Sequence, residues 1–151
     1  MSGQQHATPP RRVITGLDED GRSTLLIDAP AAAIIWSNAA TPADNSATID
    51  AGGGRFKIPT SGGLFIFSDF PPGDRKPMHS TDTLDYITII SGEVVFITET
   101  TETRLCAGDV IVCRGIIHGW RNDTAAPCRI ISVLCPSQPV GKGGTVSGFI
   151  G

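Results

Sequence analysis

The chain has 151 residues, of which 40% are hydrophobic and 18% charged, and its formal net charge is -3. A chain of this length fits one domain, and the absence of a basic block argues against nucleic acid as a partner. The N-terminal residues lack the apolar core of a signal peptide, and no apolar run is long enough to cross a bilayer. We therefore expect a cytoplasmic protein with no membrane partner.

The first third of the chain predicts strands around one long loop. Residues 1–12 are polar and are expected to form a loose tail. Two β-prone runs then flank Asp20-Gly21, which predicts a hairpin. A further strand ends at Trp36, and residues 37–63, with two prolines and three consecutive glycines, predict a long loop of the kind that often covers a functional site.

From residue 64 to residue 135, short apolar runs alternate with turn signals, which predicts an all-β sandwich or barrel. We expect one domain over residues 13–135 and a glycine-rich tail over residues 136–151. Runs such as residues 93–98 and 129–134 are apolar on both alternating faces, whereas a lone antiparallel barrel usually shows one polar face to water. Either the N-terminal hairpin or a second copy in a homodimer is expected to cover that face.

The four cysteines lie inside or beside apolar runs and form no C-x-x-C pair: Cys106, Cys113, Cys128 and Cys135. This spacing argues against a zinc ribbon or a redox motif. We expect buried, reduced thiols.

Two segments carry residues suited to chemistry. In residues 78–93, an extended strand would place His79, Thr81, Thr83 and Asp85 on one face, because side chains alternate with period two. In residues 107–122, a Gly-Asp turn leads into an apolar strand, and a second turn precedes a strand that begins at His118. Trp120 and Asn122 share the face of His118 by the same period.

Together these segments resemble the two conserved motifs of the cupin superfamily, which folds as a small antiparallel jelly roll. The first motif is matched in spacing by Gly73, His79, Asp85 and Gly92, with Thr81 where the family has a second histidine and aspartate where it has glutamate. The second motif is matched by Gly108, Asp109, Gly115, His118 and Asn122, with Cys113 in a proline position and a turn one residue shorter than usual. The resemblance covers residues 64–135, and the wider layout is similar to short single-domain cupins, some of which serve natural-product pathways.

The resemblance implies a double-stranded β-helix with an N-terminal strand or hairpin extension. It also implies one divalent metal, Fe, Mn, Ni or Zn, held by His79, Asp85 and His118. Two imidazoles and a carboxylate resemble the facial triad that leaves open positions on Fe(II) and similar ions. Thr81 offers only a neutral hydroxyl, which is a poor ligand, so the alternative is a degenerate site in which the three residues merely hydrogen-bond inside the barrel.

Other residues are candidates for a substrate pocket, although an inward aromatic such as Trp120 is also a normal core residue. The pocket candidates are Thr81, Thr83, Trp36, Trp120 and Asn122. The proton-transfer group in a reaction would be a bound water, Asp85 if it is not a ligand, or a loop residue such as Asp44.

Two functions stay open from the sequence. The first is a metal-dependent enzyme that acts on a small oxygen-rich metabolite, by decarboxylation, isomerisation or dehydration, or by oxygen chemistry with iron. The resemblance places such an enzyme in natural-product metabolism. The alternative is a non-catalytic barrel that binds a small ligand and has a degenerate metal site.

Overall fold

The computed structural model describes residues 8–140 and the backbone of residues 148–149. Every regular element in these residues is a β-strand. The described residues contain no helix that could span a membrane. The strands are β1 (Arg11–Leu17), β2 (Ser23–Pro30), β3 (Ile34–Asn38), β4 (Gly63–Phe70), β5 (Arg75–Ser80), β6 (Thr83–Ser91), β7 (Glu93–Thr98), β8 (Glu102–Cys106), β9 (Val110–Arg114), β10 (His118–Arg121), β11 (Cys128–Pro136) and β12 (Gly148–Phe149).

Ten of the described strands form two five-stranded antiparallel sheets, in the orders β12-β5-β10-β7-β8 and β3-β4-β11-β6-β9. From β5 to β7, and again from β9 to β11, consecutive strands alternate between the two sheets. This alternation defines a jelly roll, in which the chain crosses repeatedly from one sheet to the other. The predicted all-β jelly-roll barrel is confirmed.

The first two strands form the predicted N-terminal hairpin, which is a separate two-stranded sheet. Its turn contains Gly21 in the left-handed region, at a φ of 74°. The base of the hairpin is tied to the barrel by Arg12, which donates to both Asp50 carboxylate oxygens, at 2.7 and 2.6 Å, and to the Ile35 carbonyl at 3.1 Å. Strand β1 begins at Arg11, two residues before the expected domain boundary, and β12 lies inside the segment expected to be a tail.

The core lies between the two sheets, and its most deeply buried members are Ile89, Val94, Cys113 and Cys128. Burial of each large apolar side chain contributes roughly 1.5–3 kcal/mol to the free energy of folding, so this core stabilises the packing of the two sheets. The four cysteines are free thiols, as expected, but only Cys113 and Cys128 are buried, whereas Cys135 is partly buried and Cys106 is exposed. Cys106 is the last residue of β8, where the strand leaves the sheet for a turn.

The long loop between β3 and β4 contains no strand, including over residues 55–58, the one part of it with strand-like composition. Its middle is anchored to β3, because Ser37 N donates to the Ala51 carbonyl at 3.0 Å and Gly53 N to the Ile34 carbonyl at 2.8 Å. Gly53 and Gly54 both have positive φ, 74° and 83°. These two residues turn the loop back across the mouth of the barrel.

Candidate functional site

A cavity of about 480 Å³ opens inside the barrel, between the two sheets and residues 54–58 of the long loop. Its size is in the range of small-molecule sites. Most of its lining side chains are apolar: Ala33, Ile34, Phe56, Ile58, Ile66, Phe67, Phe70, Ile87, Trp120, Ile130 and Leu134. The polar lining side chains are Ser68, Lys76, His79, Thr81, Asp85, His118 and Ser132.

The structure brings His79 and Asp85 to the same cavity, although not along one strand. His79 lies near the end of β5 in one sheet, whereas Asp85 lies in β6 of the other sheet. The chain crosses between the sheets at Thr81 and Asp82, which belong to neither strand. The two side chains therefore approach the cavity from opposite walls, a closer approach than a single strand face would give.

His118 joins His79 because β10 pairs with β5 and the two histidines are direct partners in the register. Their ring centroids are 4.4 Å apart, with 52° between the ring planes. The turn before β10 uses Gly115 at a φ of 71°, and an added Cβ there would lie 3.3 Å from the Thr81 carbonyl oxygen. The turn of the second motif thus packs against the crossing within the first motif, which brings His118 next to His79.

Both imidazoles are oriented by the same kind of hydrogen bond. His79 Nδ1 donates to the Pro77 carbonyl and His118 Nδ1 to the Ile116 carbonyl, each at 2.8 Å. A carbonyl only accepts, so Nδ1 carries the proton and Nε2 of the neutral ring carries the lone pair. Burial lowers the pKa of His118 to about 4, and the Ile116 carbonyl only partly opposes this shift, so the ring is neutral at pH 7.

Asp85 is buried, with 8% of its surface exposed, and its Oδ1 makes no hydrogen bond to the described residues. Burial raises its pKa, while a hydrogen bond from Thr83 and the charge of His79 act in the opposite direction. A buried carboxyl oxygen without a partner is costly, and native proteins rarely keep one without a functional reason. Asp85 is therefore the group in this cavity that is most in need of a ligand.

Thr81 lines the cavity, and its hydroxyl lies 2.7 Å from the hydroxyl of Thr83. Thr83 is completely buried and does not line the cavity. Its side chain hydrogen-bonds to Thr81 and to Asp85, which do line it. Trp120 does line the cavity, but it also packs on Phe70 and Phe96, with ring centroids 5.7 and 4.8 Å away. Trp120 is therefore both a core residue and part of the cavity wall.

Asn122 is buried but lies outside the cavity, one residue after β10 ends. Its amide nitrogen donates to the Phe70 carbonyl at 2.9 Å and to the Ala126 carbonyl at 2.8 Å. Its oxygen accepts from the backbone and hydroxyl of Thr124, at 2.9 and 2.8 Å. The side chain is saturated by these bonds, so it closes a loop and offers nothing to a substrate.

Trp36 and Asp44 are not brought to the barrel cavity; both line a separate cleft beside the N-terminal hairpin. Asp44 is exposed, and its Oδ1 accepts from the backbone and hydroxyl of Ser46, at 3.0 and 2.6 Å. These bonds lower its pKa, which makes it a weaker proton acceptor. The structure does not place it where it could transfer a proton to a molecule in the barrel.

Several lining residues were not predicted from the sequence. Ser68 and Ser132 carried a usable signal, because each occupies an inward position of a strand whose other inward residues are apolar, such as Ile66 and Ile130. Phe56 carried none, because it lies in an irregular loop without a period.

The side chains of this cavity carry atoms of the types that bind divalent metals. Two imidazoles, each fixed through Nδ1 on a backbone carbonyl, have the arrangement usual for metal-binding histidines, and the unpartnered Asp85 oxygen lines the same space. Among residues 8–140, however, no three His, Cys, Asp or Glu side chains are grouped closely enough to hold a metal ion. The structure thus brings two imidazoles together and leaves the carboxylate beside them.

The fold is a jelly-roll barrel, and each of the two motif segments contributes one histidine to its cavity. Residues 66–134 match the family model of the cupin domain, so this part of the chain is a cupin domain. The candidate site residues His79, Asp85 and His118 all fall within the matched range.

Three proteins with which this chain aligns come from fungi. "Phomopsin biosynthesis cluster protein C'" of Diaporthe leptostromiformis is 32% identical over 59% of this chain and 48% of its own length. "Cupin-domain-containing oxidoreductase virC" of Hypocrea virens is 32% identical over 71% of this chain and 59% of its own length. "Cupin-domain-containing oxidoreductase srdB" of Neurospora crassa is 29% identical over 87% and 76%, respectively. The chain thus spans about half the length of the first of these relatives.

Among solved structures, an uncharacterised double-stranded β-helix protein from Klebsiella pneumoniae is 28% identical over 50% of this chain and 68% of that chain, with a TM-score of 0.47.

Proposed function

We propose that this chain is a metal-dependent enzyme that acts on a small molecule inside the barrel cavity. The observation that carries the proposal is the pair of imidazoles whose ring centroids lie 4.4 Å apart in the cavity, each with Nδ1 bonded to a backbone carbonyl. His79 and His118 would hold the metal, with Asp85 as the candidate third ligand. A bound metal would polarise a carbonyl or stabilise a developing anion, and iron would add oxygen chemistry.

Oxidoreductase chemistry is favoured over a lyase or isomerase reaction. Two relatives bear the name "Cupin-domain-containing oxidoreductase", and one of them aligns with 87% of this chain. The relative named for a phomopsin biosynthesis cluster supports a place in natural-product metabolism. The apolar walls suit this chemistry, because they keep bulk water from a reactive centre.

The chain's own residues would share the work. His118 stays neutral through the physiological range, so no proton competes for its Nε2 above its pKa of about 4. Asp85, with its raised pKa, would hold or release a proton near the bound molecule whenever it is not a ligand. The hydroxyls of Thr81 and Thr83 are hydrogen-bonded to each other, which fixes the position of both.

Non-catalytic binding of a small ligand is a second candidate function, and it has its own support. Thr81 stands where the family motif has a second histidine, and the described residues form no group of three ligands. Under this alternative, the polar groups of the cavity would orient a ligand through hydrogen bonds alone.

The test is metal stoichiometry. Elemental analysis of protein purified without chelator, and again after loading with Fe, Mn, Ni or Zn, should give about one metal per chain. His79→Ala and His118→Ala should each abolish it, whereas His6→Ala, the third histidine of the chain, should retain it. Asp85→Asn reports whether the carboxylate is a ligand. Absence of metal under all loading conditions would reject the enzyme proposal and leave the binding alternative.

We also propose a homodimer formed through the outer face of the second sheet. The hairpin lines a cleft with Phe65 and Ile131 at one side of this sheet, but the other side leaves Tyr86, Val110 and Val112 exposed, by 50%, 72% and 54%. These three side chains carry no charge and can pack against their counterparts in a second copy, next to Arg114, which shares the exposed face of β9. Sedimentation of the wild type and of Val112→Asp tests the proposal, which predicts a dimer and a monomer, respectively.

A further inference from the structure

We infer that the molecule accepted by the barrel cavity has a ring-sized apolar body with one polar end, and that Phe56 of the long loop covers that body at the rim. The inference rests on the proposed function in one respect: both take this cavity as the binding site. It replaces the oxygen-rich metabolite expected from the sequence with an amphipathic ligand class.

The walls give the first argument. Both sheets present branched aliphatic side chains to the cavity, including Ile66 of β4, Ile87 of β6 and Ile130 of β11. A polyhydroxylated molecule placed against these walls would give up hydrogen bonds to water and regain few of them. An apolar body gains from the same burial, because the hydrophobic effect scales with the apolar area removed from water.

The scarcity of polar groups gives the second argument. Away from the histidine pair, Thr81 and Asp85, the polar side chains of the lining are Ser68, Ser132 and Lys76. Lys76 lies 2.9 Å from Asp74 in an ion pair and is 47% exposed, so it belongs to the solvent side of the cavity. One polar end of a ligand can be matched by the histidines and Asp85, but several hydroxyls spread over a body cannot.

Phe56 gives the third argument. It lines the cavity although 53% of its surface is exposed, which places this aromatic ring at the rim. Ile58 lines the cavity two residues later. Gly53 and Gly54, both with positive φ, precede Phe56, and the bond from Gly53 N to the Ile34 carbonyl holds this part of the loop against the first residue of β3. A bound apolar body would bury the exposed part of the Phe56 ring.

The experiment compares two alcohols by calorimetry, 4-phenylbutan-1-ol with an apolar body and sorbitol with a polyhydroxylated body, because a hydroxyl can donate to the unpartnered Asp85 Oδ1. With chelator-treated protein, 4-phenylbutan-1-ol should bind with a negative heat-capacity change, the mark of apolar burial, and sorbitol should not bind. Phe56→Ala should weaken binding of 4-phenylbutan-1-ol by about fivefold or more. Phe56→Leu should restore part of the affinity.

Ile49→Ala is the matched control, because Ile49 is an apolar residue of the same loop, 78% exposed and outside the barrel cavity. It should leave the affinity unchanged. Binding of sorbitol as tight as that of 4-phenylbutan-1-ol, no binding of 4-phenylbutan-1-ol, or an unchanged affinity in Phe56→Ala would each overturn the inference.

Repeating the titrations with Zn²⁺ separates this inference from the metal proposal. Binding of 4-phenylbutan-1-ol that is sensitive to Phe56→Ala, in a protein that takes up no Zn²⁺, would uphold the inference and reject the metal centre. Uptake of Zn²⁺ with binding of sorbitol only would do the reverse.

Discussion

Two buried polar clusters in this barrel differ in how completely their hydrogen bonds are made. Around Asn122, every polar atom of the side chain has a partner, from Phe70, Thr124 and Ala126. At the cavity, Asp85 Oδ1 makes no hydrogen bond to the described residues, although the carboxyl is almost as well buried. The first cluster is built for stability. The second carries an energetic cost that only a ligand, a metal or a substrate would remove.

The largest expected effect comes from breaking the satisfied cluster. Asn122→Ala removes four hydrogen bonds and leaves the buried Phe70 carbonyl without that donor, so we expect a loss of about 4 kcal/mol in the free energy of unfolding. Urea denaturation measures it. Thr124→Val, which removes only the hydroxyl partner, should cost clearly less. Equal stability of Asn122→Ala and the wild type would show that the cluster is not structural.

A pH dependence of stability should follow from His118. Its pKa is about 4 in the folded chain and about 6.5 when unperturbed, so between these values the unfolded chain binds the extra proton. Stability of the metal-free protein should therefore fall as the pH drops from about 6.5 to 4, by up to about 3 kcal/mol from this residue. The raised pKa of Asp85 acts in the opposite sense, since its folded form binds a proton more readily.

The difference between wild type and His118→Gln isolates that contribution. Urea denaturation of both proteins from pH 7 to pH 4.5 should show a steeper loss of stability in the wild type. Parallel curves would mean that burial does not hold His118 in its neutral form.

The cupin motifs led us to expect His79, Asp85 and His118 together, and all three side chains line one cavity. Alternation along the strands did not explain this grouping, because the chain changes sheet between His79 and Asp85. It failed at the ends of strands and in the loop. Asn122 keeps the parity of His118, but β10 ends before it and its amide turns to the main chain. No periodic pattern relates Asp44 to the barrel, because loop direction depends on tertiary contacts such as the Arg12–Asp50 ion pair.

The smallest effect, and the one of opposite sign, is expected at Asp85. Asp85→Asn replaces a buried carboxyl with a neutral group of the same shape, so the metal-free protein should be as stable as the wild type or more stable, by up to about 1 kcal/mol. Ligand or metal affinity should fall in the same variant. Such a gain in stability with a loss of binding is the signature of a residue kept for function, since a structural residue loses both. A strong destabilisation measured by urea denaturation would instead place Asp85 with Asn122, as part of the framework of the barrel.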